Sequence, residues 1–333
     1  MRRGQIKRNN KKMGSYQGMT YVNRKYNAVG VSFDALNYYG DLAPLPEKFS
    51  TDLSLTRPGV GLYFKRKYGS FYSLQASFLY GTIKGSDHES ADRTDTQNGV
   101  YRYQRNLSFR NRIKELSVVG VFDLFKNQQT YLYRADWTPY GFFGIALFHN
   151  NPQALAPKTD LNGNALARGG EWVDLQPLGT EGQYASLKST DANYKIKPYS
   201  RTQVAIPLGI GVRVRLKTNM DISGEFGFRY VFTDYLDDVS RNYVDLGSFG
   251  NNELAKALSY RSNEIGPPNH TYTSEYDGMT YNVLAGYGSE HQSNIRGNKK
   301  DRDLYTVMSV KVAYILKPKV ASSKKKYTKP KSS

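Results

Sequence analysis

The feature that most constrains this chain is an alternation of short and long connections between strand-like segments. Amphipathic stretches fall at residues 27–38, 58–66, 69–83, 113–125, 138–148, 203–216, 219–232 and 303–315. Each is about the length of a tilted β-strand that crosses a bilayer. The first, third, fifth and seventh connections are long, running Tyr39–Arg57, Lys84–Arg112, His149–Gln203 and Thr233–Asp303. The second and sixth are tight turns near Tyr68-Gly69 and Lys217-Thr218-Asn219, and the fourth, Lys126–Trp137, is intermediate. Long loops on one side and short turns on the other mark a transmembrane β-barrel of the bacterial outer membrane. A soluble barrel has little reason to sort its loops by length. The expected fold is therefore all-β: an eight-stranded antiparallel transmembrane β-barrel over residues 27–316. A basic arm, 1–26, precedes it and a basic tail, 317–333, follows it.

Mean hydropathy is −0.63 and no run of about 18 apolar residues occurs, which excludes a transmembrane helix. A β-barrel passes that test, because only every second strand residue must face lipid. The 28 Tyr and 15 Phe suit aromatic girdles at the membrane interfaces, and the 30 Gly suit turns and a crowded lumen. Cysteine is absent, which removes disulfides, thiolate catalysis and Cys-based zinc sites.

The net charge of +18 invites a nucleic-acid reading, but its placement argues against one. Residues 1–25 hold eight basic residues and no acid, and residues 317–333 hold seven lysines, so the body keeps only +3. Charge blocks of this kind act as arms toward partners or anionic surfaces. With an even strand number both termini emerge on the short-turn side, expected to be periplasmic, where nucleic acid is out of reach. Met1 and the basic residues after it are not followed by an apolar h-region, so a signal peptide is expected to be missing from the sequence as written.

Strand patterning predicts what faces what. Ile222, Phe226, Phe228, Tyr230 and Phe232 share one face, against Asp221, Ser223, Glu225, Gly227 and Arg229. Leu208, Ile210, Val212, Val214 and Leu216 oppose Gly209, Gly211, Arg213 and Arg215. The segment Tyr140–Phe148 is apolar on both faces, so its orientation is open. The polar faces carry both signs of charge. An eight-stranded lumen is just wide enough for side chains to fill, and buried charges must pair. The expected lumen network comprises Asp34, Glu115, Arg213, Arg215, Glu225, Arg229 and Lys311. In it, Arg213, Arg215 and Arg229 meet Glu225, Asp34 or Glu115, so the barrel is plugged rather than porous.

Signals for chemistry are sparse. The histidines His88, His149, His270 and His291 lie in or beside loops without metal-ligand spacing. Asp234, Asp237 and Asp238 have the composition of a calcium loop but not an EF-hand pattern, and capping or pairing with loop arginines is the favoured use. No hydrolase, metalloprotease or phosphate-loop motif is present. A rim enzyme using His149, or Ser108 or Ser240 with a loop histidine, stays open, but nothing selects these residues. No catalytic activity, cofactor or metal is expected.

Seven segments in order resemble one family. They are Asn37–Leu42, Leu55–Val60, Arg105–Asn111, Thr138–Tyr140, Trp172–Gln183, Arg229–Val239 and Arg296–Asn298. Over about residues 27–316 the chain is similar to the PorG-like outer-membrane barrels of the type IX secretion system of Bacteroidota. The resemblance implies a non-enzymatic outer-membrane protein that ties a periplasmic ring, formed by the lipoprotein PorK and by PorN, to the outer membrane. The basic tail departs from a chain that ends on its last strand. Its Lys317, Lys319, Lys324, Lys325 and Lys326 are the candidate partner-binding residues. Three alternatives remain: a small OmpA- or OmpW-like barrel with no ring partner, a lipid-modifying outer-membrane enzyme, and a soluble lipocalin-like barrel with reversed facing.

Overall fold

The computed structural model describes residues 25–43, 53–126, 130–300 and 302–316. The N-terminal arm up to residue 24 and the tail 317–333, with its candidate lysines, lie outside the described residues. Eight long strands form the barrel: β1 (Tyr26–Tyr39), β2 (Arg57–Lys67), β3 (Tyr72–Ser86), β4 (Ser108–Asp123), β5 (Trp137–His149), β8 (Thr202–Lys217), β9 (Met220–Val231) and β12 (Leu304–Leu316). Each pairs antiparallel with its neighbours in the order β3-β2-β1-β12-β9-β8-β5-β4, and β3 pairs with β4 to close the ring. Closure leaves the spanning strands no unpaired edge, which a bilayer requires.

The strands alternate between lumen and exterior as their sequences predict. Phe33 is 64% exposed and Ile210 69% exposed, while Asp34, Lys65, Glu115, Asp123, Arg213 and Asp221 are buried. Apolar outside and charged inside is the facing of a transmembrane barrel and the reverse of a lipocalin. Trp137 packs edge-on to Phe125 at 5.4 Å, and Tyr68, Tyr72 and Phe122 stack in series, all beside the short turns. Tyr230 against Phe232 supplies aromatics toward the long loops. These are the interfacial girdles. The ambiguous β5 turns Tyr140, Phe142, Ala146 and Phe148 inward, and Phe143, Ile145 and Leu147 outward. Room for the Phe142 ring comes from Gly209 and Gly227 on the facing strands. A Cβ at either would lie 2.6–2.7 Å from its Cζ.

One feature departs from the sequence expectation and another gives it detail. First, β3 and β4 run further toward the loops than expected, pairing Lys84 with Arg110 and Ser86 with Ser108. Their polar tips lack the alternation that marked the lower parts, so the third connection is shorter than predicted. Second, the long connections carry structure of their own. Helices α1 (Asp87–Ser90) and α2 (Gly99–Arg105) lie between β3 and β4. Strands β6 (Pro152–Leu155) and β7 (Trp172–Asp174) extend the sheet beside β4. Helix α3 (Glu253–Ser259) and a hairpin of β10 (His270–Thr273) and β11 (Thr280–Val283) belong to the last long loop. These elements form a cap over the loop-side mouth.

The cap and lumen share one apolar core. Leu36, Ile83, Phe109, Ile113, Phe148 and Tyr305 from the strands pack with Leu236, Val239 and Leu258 from the last loop. The lumen is therefore charged in its middle and turn-side parts, and apolar where the cap enters it.

Candidate functional site

The charged lumen is layered along the barrel axis. Nearest the turns, Arg134 folds in from the fourth connection. Its guanidinium donates to Asp221 Oδ1 at 2.6 and 2.9 Å, and to the carbonyls of Tyr131, Lys217, Thr218 and Met220. Above it, Asp123 takes both Lys67 and Arg213, the latter at 2.8 Å. Next, Lys311 meets Glu225 at 2.5 Å, and the Tyr140 hydroxyl donates to Glu225 at 2.7 Å. Toward the loops, Arg229 Nε donates to Glu115 at 3.1 Å and the Tyr305 hydroxyl to the same carboxylate at 2.7 Å.

Arg229 pairs with Glu115, one of the three carboxylates the sequence left open to it, and three other assignments are corrected. Arg213 meets Asp123, with Asp221 at 4.0 Å, and not Glu225, Asp34 or Glu115. Arg215 lies at the turn-side rim and pairs with the exposed Asp136 at 2.5 Å. Asp34 receives the hydroxyls of Ser32 and Ser309, at 2.7 and 2.5 Å, instead of an arginine. The common cause is height. Arg213 and Asp123 are both close to the turn side, whereas Glu115 and Arg229 are close to the loops, and opposite charges at different levels do not meet.

The cap is held by a second polar cluster, built from segments far apart in the chain. Arg296, only 2% exposed, donates to Glu181 Oε1 at 3.1 Å and to the Asp238 carbonyl at 2.7 Å. Glu181 Oε1 also accepts the backbone N–H groups of Ser240 and Arg241, at 2.9 and 3.0 Å. Asp238, with φ of +69°, accepts the Thr180 hydroxyl and, at 2.7 Å, the Tyr199 hydroxyl. Burial pushes its carboxyl up to about 6, against the opposing pull of Arg296. Arg105 grips Asp87 through two donors, at 2.8 and 2.7 Å, and reaches the carbonyls of Arg296 and Asp41. One side chain thereby joins the second loop, the end of β1 and the last loop.

At the lumen entrance the Tyr38 hydroxyl lies 2.6 Å from Asp237 Oδ2 and 2.7 Å from Asp303 Oδ1. One hydroxyl has one proton to donate, so one of the two carboxyls is protonated and donates in return. Burial is the main cause, and it raises both groups. Asp303 reaches about 8, while Asp237 is further raised by the charge of Asp303. Asp234 is pushed up to about 9, again mainly by burial.

The three aspartates weighed for calcium thus diverge: Asp238 toward Arg296 and Asp237 toward Tyr38, while neither buried carboxylate oxygen of Asp234 makes a hydrogen bond among the described residues. Among the described residues no group of three or more His, Asp or Glu is placed to hold a metal ion. The histidines stay apart. His149 sits exposed on the outer face with Nδ1 3.1 Å from Thr202 Oγ1, and His88 lies against Tyr103. His291 bonds Ser293, and His270 opens β10. Ser108 receives Arg261 at 3.4 Å, and Ser240 is buried beside Glu181. The structure brings none of the rim-enzyme candidates together with one another. Sequence reasoning missed Arg296, Glu181, Asp87 and Arg105 as a cluster. Arg105, Glu181 and Arg296 lie in the family-like segments, which was the signal that pointed to them, whereas Asp87 lies outside every such segment.

Residues 14–167 match a family described as a domain of unknown function (DUF6089). No curated protein matches the chain. Among solved structures the chain is similar to OprG of Pseudomonas aeruginosa, at 7% identity over 89% of this chain and 98% of that one, with a TM-score of 0.35. It is similar to a major outer membrane protein of Thermus thermophilus, at 11% identity over 87% and 99%, TM-score 0.35. It is also similar to Ail, the attachment invasion locus protein of Yersinia pestis, at 6% identity over 88% and 99%, TM-score 0.34. The membrane assignment rests on the closed pairing and the outward apolar facing described above.

Proposed function

We propose that this protein is a non-enzymatic outer-membrane scaffold, serving a PorG-like role in type IX secretion by anchoring a periplasmic ring of PorK-like and PorN-like proteins. The observation that carries this reading is convergence. Five of the segments that resemble PorG-like barrels supply Tyr38, Arg105, Glu181, Asp238 and Arg296 to one buried cap. Residues spent on a fixed architecture suit a rigid platform rather than a catalyst or a gated pore.

The lumen supports the same reading. Its voids measure about 30 and about 10 Å³, room for little more than a water each. Arg134 closes the turn side, and the cap closes the other. In this reading the turns and the basic arms face the periplasm and offer the docking surface, the arms adding electrostatic attraction to an acidic partner.

The test is a mild-detergent pull-down of the full-length protein from native outer membrane, followed by mass spectrometry. Co-recovery of the ring lipoprotein and its periplasmic partner is the expected result, and recovery of the barrel alone would overturn the ring role. Deleting residues 317–333 should weaken that association most at low salt. Unchanged co-purification would remove the tail from the mechanism.

A further inference from the structure

The cap holds a cleft of about 430 Å³ between α2 and the segment 285–298, within the size range of small-molecule sites. We propose that this cleft binds a neutral saccharide on the loop side of the barrel. The proposal is independent of ring docking, which uses the opposite side.

The walls are fixed before any ligand arrives. The Tyr287 hydroxyl donates to the Tyr101 carbonyl at 3.0 Å, tying the last loop to α2. At the floor, Arg105 joins the carbonyls of Arg296 and Asp41, at 2.5 and 2.7 Å. The Asp41 carboxylate accepts the Asn298 N–H at 3.0–3.1 Å. A preformed site loses little entropy on binding.

The lining has the chemistry of sugar recognition. Planar amides from Gln97, Asn98 and Asn298, the Asp41 carboxylate and the Arg102 guanidinium border the cleft. Such groups can engage neighbouring hydroxyls in pairs. Asn98 occupies the N-cap position of α2, yet its side chain makes no capping bond. Arg102 is 92% buried, and its Nε makes no hydrogen bond, only a 3.5 Å ionic contact with Asp87. Tyr101, 59% exposed, and Ile295, 61% exposed, offer apolar surface to the C–H face of a sugar ring.

Charge decides against an anionic ligand. Arg102 and Arg105 are matched by Asp87 behind them and Asp41 beside them, so among the described residues no uncompensated cation faces the cleft. An extended peptide fits poorly, because a helix and a turn form the walls and neither offers a strand edge.

The experiment uses the full-length protein in dodecylphosphocholine micelles, a detergent without a sugar headgroup. Saturation-transfer NMR is run with glucose, galactose, mannose, N-acetylglucosamine and lactose, with trialanine and inorganic phosphate as comparators. Transfer to at least one saccharide and to neither comparator is expected. Tyr101→Ala and Asn98→Ala should each reduce that transfer at least fivefold, with the thermal transition unchanged. Tyr184→Ala, at an exposed cap tyrosine outside the cleft, should leave it intact. No transfer to any of the five sugars, equal transfer in the two cleft variants, or preferential transfer to trialanine or phosphate would each overturn the proposal.

Discussion

The lumen and its loop-side entrance are both buried polar clusters, and they solve the same electrostatic problem in opposite ways. In the lumen, cations face anions at set heights: Arg134 with Asp221, Lys67 and Arg213 with Asp123, Lys311 with Glu225, and Arg229 with Glu115. Strand register dictates these levels. At the entrance, carboxylates crowd around Tyr38 and a retained proton stands in for a cation, whereas the cap above it keeps ion pairs of its own, Arg296 with Glu181 and Arg105 with Asp87. The lumen is thus neutralised by ion pairs, and the entrance by protonation. The entrance therefore depends on a carboxyl proton that titrates in the ordinary pH range.

The largest expected effect is in the cap. Arg296→Ala leaves Glu181 and Asp238 buried without their cation, a change that costs about 3–5 kcal/mol. Hydrogen exchange should show amides at 236–242 losing protection while the central strands of the barrel keep theirs. Uniform loss across barrel and cap would mean that the two regions are one cooperative unit, which would end the comparison.

In the lumen, Glu115→Ala strands Arg229 and Tyr305 and should cost about 3 kcal/mol, read as a shift in the urea midpoint of detergent-folded protein. Adding Arg229→Met should restore much of that loss, because an apolar replacement removes the unpaired charge. A double variant no better than the single would show that Arg229 is satisfied by something other than Glu115.

How much of this was legible follows the same division. Strand number, facing and the plugged lumen could be read because alternation and loop length are local patterns. Sign limited Arg229 to a carboxylate, Glu225, Asp34 or Glu115, without choosing Glu115 among them. Arg213 was given the wrong partners, because height above the turns depends on register, which alternation alone does not set. Cap contacts such as Arg105 with the Arg296 carbonyl join residues 191 apart, and no local pattern encodes such a meeting. Resemblance marked the segments without showing that they converge. The cleft was invisible for the same reason: Asp41, Asn98 and Asn298 share no periodicity.

The protonated entrance gives a pH test that separates the two regions. Asp303, raised to about 8, and Asp237, raised in the same direction, bind more protons in the folded state than in the unfolded one between pH 4 and 8. Their contribution to stability is therefore complete below the unfolded carboxyl range, near 4, and is lost as pH rises through the folded value. Exchange protection at 233–239 should fall progressively between about pH 4 and 8 and level off above that. Asp303→Asn should flatten that dependence, since an amide needs no proton to stay neutral and its oxygen can still accept the Leu236 N–H. An unchanged slope in this variant would place the titrating proton elsewhere.

The smallest effect belongs outside both clusters. His149 lies exposed at the top of β5, and its Nδ1 contact with Thr202 is a solvent-facing bond across the β5–β8 pair. Thr202→Val should shift stability by about 0.5 kcal/mol or less, since water takes over the lost partner. His149→Ala should be equally mild, and lipid A extracted from cells carrying it should have an unchanged mass spectrum. An altered lipid profile would turn the exposed histidine into a reacting group and the barrel rim into an enzyme. The scaffold reading requires instead that the structurally important polar residues be those hidden in the lumen and the cap.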